Sequence, residues 1–263
     1  MDPIPDPSGE GLIKIVEGLK RAWRLDVDVE VVISEEPFVL GRTVHYGEGY
    51  RIYLSEPEPY PLLHEFYHIL FEEKVMKRQI GLGCEFCSKI VFEMMNVLVD
   101  LAIEKVVYRT DPEIFPAYFP RAIENLDRIA RCGVLSFDPA RTFAYNLYLE
   151  TAIRELYPGL RGGYDFWERI DLSQPMREEV ESALTVAGEF VRERPSTWQE
   201  ISASAVDLSW PIFGADVMVI ESKDEWRIVC NTDHIEAKRK VSEMIELLKS
   251  LSRSWGRGGG PGG

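Results

Sequence analysis

The chain has 263 residues, of which 45% are hydrophobic, so it can bury a sizeable core as one domain with appendages. Its formal net charge of -14 argues against a nucleic-acid partner, because phosphate binding needs clustered cations. It contains no apolar run of about 18 residues and no basic, hydrophobic leader after Met1, which predicts a soluble cytoplasmic protein without a membrane segment.

Four cysteines do not make a disulfide framework in a chain of this length. Cys84 and Cys87 form a lone C-x-x-C, whereas Cys132 and Cys230 are isolated. A zinc knuckle would usually show a second close pair. A redox pair at a helix start is another alternative, because a helix N-terminus would favour the thiolate. Two structural cysteines, reduced or bridged, are the favoured interpretation of Cys84 and Cys87.

The first sixty residues predict a helix followed by a small antiparallel sheet. Apolar residues at helical spacing indicate a helix over residues 11–23. A run rich in β-branched residues over 26–34 predicts a strand. The segments 41–46 and 50–54, which are separated by Gly-Glu-Gly, predict a hairpin.

The next predicted helix carries the motif H-E-x-x-H in an apolar run. His64 and His68 are four residues apart, about one helical turn, so both imidazoles leave the same face of the helix. This is the spacing of zinc ligands, and Glu65 stands where it could reach a water held by the metal without being a ligand itself. An ordinary amphipathic helix with two satisfied histidines is the alternative interpretation.

A longer helix is predicted over residues 85–108, after a break at the glycines around Leu82. Its middle is apolar almost all round, and four polar residues interrupt one face, namely Glu93, Asn96, Asp100 and Glu104. A buried carboxylate is costly unless it is paired or binds a metal. Because catalytic zinc commonly has three protein ligands, Asp100 is the predicted third ligand, with Glu104 and then Glu93 in reserve. Glu104 could instead accept an imidazole N–H, and pairing of all these carboxylates with Arg or Lys is the remaining alternative.

This pattern resembles the zincin metallopeptidases, whose H-E-x-x-H helix supplies two zinc ligands and a general-base glutamate. The following helix resembles that of the gluzincin branch, where a Glu on this helix is the third ligand and a nearby acid supports a histidine. The order here departs from that branch, because Asn96 is followed by Asp100 and Glu104 instead of Glu by Asp. The resemblance implies a sheet with an edge strand that pairs with an extended substrate, and either strand of the hairpin could be that edge. A hairpin that merely covers the core is the alternative interpretation.

The second half of the chain gives weaker signals. Prolines at 112, 116 and 120 are predicted to break the chain, and residues 160–164 to form a turn or loop. Tyr145 and Tyr148 could line a cleft with neighbouring arginines, but arginines on helices usually solvate a surface. Helical periodicity covers residues 121–131, 140–157, 176–192, 198–206 and 233–251, and a hairpin is predicted over 216–221 and 226–230.

The predicted fold class is α+β and mostly helical. A zincin-like metal-binding core is expected over residues 1–110, and a helical part with the late hairpin over 111–255 is expected to pack on it. The Gly-rich segment 256–263 cannot bury a core and is predicted to be disordered.

The predicted function is a Zn²⁺-dependent hydrolase, and specifically a metallopeptidase that acts on a peptide or protein. Glu65 would be the general base toward a metal-activated water. The stabiliser of the oxyanion is left open among His45, Tyr46, Tyr60 and His234. A zincin-fold scaffold that binds a protein partner without catalysis is the alternative function.

Overall fold

The structure of the chain, a computed structural model, is α+β and mostly helical, as predicted. No helix among the described residues is long and apolar enough to cross a membrane. The chain divides into two compact units, Met1–Lys77 with Val106–Ala122 and Arg78–Lys105 with Ile123–Gly263. The structure describes residues 9–34, 41–74, 79–82, 85–131, 139–164, 166–193, 201, 204–209, 217–221, 225–230 and 235–255.

The first unit contains a three-stranded sheet. Helix α1 (Gly9–Trp23) precedes strands β1 (Val29–Ile33), β2 (Gly41–Tyr46) and β3 (Gly49–Leu54), and the strand order is β1-β3-β2. Strands β2 and β3 form the predicted antiparallel hairpin, whereas β1 pairs with β3 in parallel. The sheet is therefore mixed, and the prediction of an antiparallel sheet is wrong.

Burial explains why β3 takes the central position. Tyr50 is 3% exposed, and Ile52 and Leu54 are fully buried, whereas residues of β1 and β2 are half-buried or exposed. The most buried strand is best placed between two others, because its main-chain groups then pair on both sides. Since β1 and β2 run in opposite directions on either side of β3, one of its two pairings must be parallel.

Helix α2 (Pro59–Lys74) carries the H-E-x-x-H motif and packs against β2 and β3. It begins at a proline, whose missing N–H has no partner to lose in the first turn. Leu62, Phe66 and Ile69 are fully buried and recur at helical spacing, so they fix the core face of α2. His64 and His68 lie outside this stripe and are half-buried.

Helices α3 (Glu85–Thr110) and α4 (Ile114–Arg131) follow, and α3 confirms the predicted long helix. The prediction that prolines break the chain at 116 and 120 is wrong, because both positions lie in α4. Position 116 falls in the first turn, where an N–H needs no helical partner, and Pro120 removes only one hydrogen bond. The burial of Phe115, Phe119 and Ala122 offsets that loss.

The second unit contains another three-stranded mixed sheet. Strands β4 (Gln79–Leu82), β5 (Val217–Glu221) and β6 (Glu225–Cys230) have the order β4-β6-β5. The antiparallel pair β5 and β6 confirms the predicted hairpin, and β4 adds to β6 in parallel. Strand β4 was not predicted, because it is short and lies where glycines indicate a break.

The described residues of the second unit also form α5 (Pro139–Glu155), α6 (Phe166–Arg169), α7 (Gln174–Glu193) and α8 (Ile235–Trp255), and residues 204–209 are helical as well. Helix α5 contacts both α7 and α8 and buries Phe143 and Leu147 completely. The helices α5, α7 and α8 confirm the helices that were predicted from periodicity over 140–157, 176–192 and 233–251. The predicted turn at 160–164 overlaps a 3-10 helix over Pro158–Gly163.

Several predictions concern residues at or beyond the limits of the described structure. Within the predicted helix over 198–206, position 201 and positions 204–206 are described and helical. The tail 256–263, His234, Cys84 and Cys132 lie outside the described residues. Cys87 is a buried thiol with 2% of its surface exposed.

Candidate metal centre

The two histidines of the motif direct one ring nitrogen each toward the same point. The Nε2 atoms of His64 and His68 lie 3.2 Å apart. The ring centroids are 4.9 Å apart and the ring planes meet at 68°, so the rings approach by their edges and do not stack. Two neutral imidazoles in this geometry can share one hydrogen bond or can present two nitrogen lone pairs to one cation.

This pair of nitrogens fits zinc. Zinc binds imidazole nitrogen at about 2.0–2.1 Å with tetrahedral angles, which places two such nitrogens about 3.3–3.4 Å from each other. The observed separation of 3.2 Å is close to that value. The distance between the two nitrogens therefore suits a shared zinc ion.

A carboxylate lies near the same point. Among the described residues, one group of His, Cys, Asp and Glu side chains could hold a metal ion, and it consists of His64, His68 and Asp100. One ligand atom from each residue lies within 4.8 Å of the other two, and all three side chains are half-buried. Two imidazoles and one carboxylate are a common donor set for catalytic zinc, and they leave a position for water. Glu93 and Glu104 are not in this group.

Glu104 has other partners. It is fully buried, its Oε2 accepts a hydrogen bond from the Tyr148 hydroxyl at 2.9 Å, and its Oε1 accepts one from the Tyr157 hydroxyl at 2.6 Å. One hydroxyl donor on each oxygen compensates for much of the cost of burying the carboxylate. Nothing in the sequence distinguishes Tyr157, and the only signal for Tyr148 is its spacing of one helical turn from Tyr145.

Tyr145 adds a third phenol to this part of the second unit. Its ring centroid is 6.0 Å from that of Tyr148 on the same helix. Burial, and then the negative charges of Asp100 and Glu104, raise the pKa of the Tyr145 phenol above its usual range. The phenol therefore stays protonated at neutral pH and can donate a hydrogen bond.

Glu65 lies against strand β2. The Thr43 hydroxyl donates to Oε2 of Glu65 at 2.8 Å and lies 3.1 Å from the main-chain oxygen of Glu65. Strand β3 is central in the sheet, so β2 is the strand of the hairpin that forms an edge. Thr43 was not predicted from the sequence, because its partner Glu65 is 22 positions away along the chain.

Three of the four candidate oxyanion stabilisers are described. His45 pairs with Glu72, whose Oε1 lies 2.6 Å from its Nε2. The ring of Tyr46 lies 3.4 Å from the Arg51 guanidinium, and Tyr46 alternates with His45 to the other face of the sheet. The ring centroids of Tyr60 and His64 are 6.0 Å apart. Of the three described candidates, Tyr60 is therefore the one whose ring lies beside a histidine of the motif.

Comparison with known proteins does not identify a relative. No family model matches the chain, and neither a curated protein nor a solved structure matches it. The residues of this site and their geometry are therefore what indicates a function for the chain.

Proposed function

We propose that the protein is a zinc-dependent hydrolase, and specifically a metallopeptidase with a zincin-like core. The observation that carries the proposal is the 3.2 Å separation between the Nε2 atoms of His64 and His68. The carboxylate of Asp100 among the same ligand atoms supports it, because it completes a donor set that suits zinc.

A zinc ion held by these three residues would polarise a scissile carbonyl and lower the pKa of a water in the remaining position. His64 and His68 would hold the ion through their Nε2 atoms, and Asp100 would hold it through a carboxylate oxygen. Glu65 follows His64 directly and is not a ligand, so its carboxylate can accept the proton of the attacking water. Glu65 would then pass this proton to the leaving amine.

The edge strand favours a peptide as substrate. The outer main-chain groups of an edge strand can pair with an extended peptide. Strand β2 packs against α2, and Thr43 of this strand contacts Glu65. A peptide paired with β2 would therefore run close to the general base.

Elemental analysis of the purified protein tests the metal site. We expect one zinc per chain in the wild type, and a loss of zinc in His64→Ala and His68→Ala. In Asp100→Ala we expect zinc affinity to fall by at least about 100-fold, because a ligand is lost. His45→Ala is the matched histidine control and should retain zinc, since His45 is 67% exposed and pairs with Glu72. Absence of zinc from wild-type protein that has been incubated with zinc would overturn the proposal.

Hydrolysis of fluorescently labelled casein tests the chemistry. We expect Glu65→Gln to retain zinc and to lose about 10²–10⁴-fold in rate, which is the usual contribution of a general base. Equal rates in Glu65→Gln and wild type would remove Glu65 from the mechanism. Zinc-loaded wild-type protein that cleaves neither casein nor a mixed peptide library would favour the scaffold function.

A further inference from the structure

We infer that Thr43 is a positioning residue, whose hydroxyl holds the Glu65 carboxylate in the orientation that proton transfer requires. This inference rests on the proposed function, because it takes Glu65 to be the general base. It adds a residue that the H-E-x-x-H pattern does not contain. The residue lies on the edge strand of the sheet and not on a metal-binding helix.

Two contacts tie Glu65 to one hydroxyl. Oγ1 of Thr43 is 2.8 Å from Oε2 of Glu65 and 3.1 Å from the main-chain oxygen of the same residue. The hydroxyl is the donor in the contact with Oε2, and the carboxylate oxygen is the acceptor. The contact occupies one oxygen of the carboxylate and leaves lone pairs on Oε1 for the proton of a water.

Gly41 provides the space for this arrangement. A Cβ atom at position 41 would lie 2.8 Å from Cγ and 3.0 Å from Oε1 of Glu65, which is closer than such contacts normally are. Gly41 and Thr43 are two positions apart on β2 and so face the same side of the sheet. The strand therefore fixes the carboxylate twice, by a hydrogen bond at Thr43 and by close packing over Gly41.

A purely structural role is the competing explanation. The same hydrogen bond could simply join β2 to α2, in which case its loss would lower stability without altering the proton transfer. A positioning role differs, because it changes kcat more than KM and depends on the hydroxyl rather than on the size of the side chain. Val and Ser separate these two properties. Val keeps the shape of Thr without a hydroxyl, and Ser keeps the hydroxyl without the methyl group.

The experiment compares Thr43→Val, Thr43→Ser and Gly41→Ala with the wild type and with Glu65→Gln. Each protein is loaded with zinc, and kcat and KM are measured on one quenched fluorescent peptide that the wild type cleaves.

We expect Thr43→Val to lower kcat by about tenfold, which is a part of the general-base contribution, and to leave KM within about twofold of wild type. Thr43→Ser should restore kcat to within about twofold of wild type. Gly41→Ala should lower kcat, because the added methyl group displaces Glu65. Zinc content should be unchanged in all of them.

The outcomes distinguish this inference from the proposed function. Wild-type kcat in Thr43→Val, or an equal loss in Thr43→Val and Thr43→Ser, overturns the role of the hydroxyl while the peptidase stands. A wild type that binds zinc and cleaves no peptide overturns the peptidase, whatever Thr43 does.

A second readout requires no activity. Thermal unfolding of the zinc-free protein is measured for Thr43→Val, Glu65→Gln and the double variant. If the hydroxyl and the carboxylate interact, the two single shifts in Tm should not add, because either change alone breaks the same contact. Additive shifts would contradict a direct interaction between Thr43 and Glu65.

Discussion

The Nε2 atoms of His64 and His68 lie 3.2 Å apart on the half-buried side of α2, away from its fully buried stripe. Residues four apart on a helix have Cβ atoms about 5–6 Å from each other, so both side chains bring their ring nitrogens closer than the helix alone requires. Two lone pairs that face each other repel unless a proton or a cation lies between them. A shared ring proton or a bound cation at this point would therefore stabilise the arrangement of the two side chains.

Zinc should raise the thermal stability of the wild type. A ligand that binds only the folded state contributes about 2.7 kcal/mol when its free concentration is 100 times Kd. We therefore expect Tm to rise on addition of zinc and to fall after chelation, and the shift to be absent in His68→Ala. Differential scanning calorimetry at several zinc concentrations measures this effect. A shift of equal size in His68→Ala would mean that zinc binds elsewhere.

The Glu104 network should make a large contribution to stability. Tyr148→Phe and Tyr157→Phe each remove a hydroxyl donor from a carboxylate with no exposed surface. We expect each to lower the free energy of unfolding by about 1–3 kcal/mol, the cost of leaving a buried polar atom without its donor. Urea denaturation measures the change. Tyr46→Phe, at a 56% exposed position, is the control and should stay within about 0.5 kcal/mol of wild type.

Zinc content gives an independent measure of what Glu104 does. If Glu104 serves the tyrosines and not the metal, Glu104→Gln should keep zinc and lose stability. Loss of zinc in Glu104→Gln with retention in Asp100→Ala would reverse the assignment of the third ligand.

The sequence predicts which candidate site residues lie together best where those residues are close along the chain. His64, Glu65 and His68 share one helical turn, so their spacing alone predicts that they lie near each other. Asp100 was predicted by the spacing of polar residues on an apolar helix. Thr43 and Tyr157 could not be predicted, because each meets its glutamate through tertiary packing over 22 and 53 positions of the chain.

The fold shows the same division between local and distant effects. The helices and both hairpins follow from periodicity, which depends on neighbouring residues. The parallel pairings of β1 with β3 and of β4 with β6 join strands that are distant or not consecutive, and nothing in the strands themselves specifies those partners. Pro120 shows the limit of local rules, since packing keeps the helix in spite of a residue that disfavours it.

Three glycines should respond to alanine in different ways. Gly18 lies in α1 with no atom within 4 Å of an added Cβ, so Gly18→Ala should stabilise by about 0.5–1 kcal/mol. Gly47 has a φ of 62°, and Gly47→Ala should cost about 1–2 kcal/mol. A Cβ at Gly49 would lie 2.3 Å from the main-chain oxygen of Asp28, and this oxygen accepts a hydrogen bond from Tyr50 N–H. Because the main chain would have to move and this hydrogen bond would be disturbed, Gly49→Ala should be the most destabilising of the three. Urea denaturation of the three variants tests this order. A Gly49→Ala variant as stable as the wild type would contradict the close approach of Gly49 to the main-chain oxygen of Asp28.

The ion pair between Arg154 and Glu181 should contribute to stability at neutral pH and not in acid. Arg154 donates to both carboxylate oxygens at 2.9 and 3.1 Å, and this contact lowers the pKa of Glu181 below its ordinary value. A carboxylate with a lower pKa in the folded state adds stability above its unfolded pKa, and this stability is lost as the pH falls through the folded pKa. Because Glu181 is 57% exposed, Arg154→Gln should cost only about 0.5–1 kcal/mol at pH 7 through this pair.

The difference in the free energy of unfolding between Arg154→Gln and the wild type should shrink as the pH falls below about 4. Urea denaturation at several pH values measures this difference. Lys249→Gln, whose partner Glu246 is 68% exposed, should change little at any of them. A difference for Arg154→Gln that grows toward acid would show that the arginine stabilises the fold by packing and not by its charge.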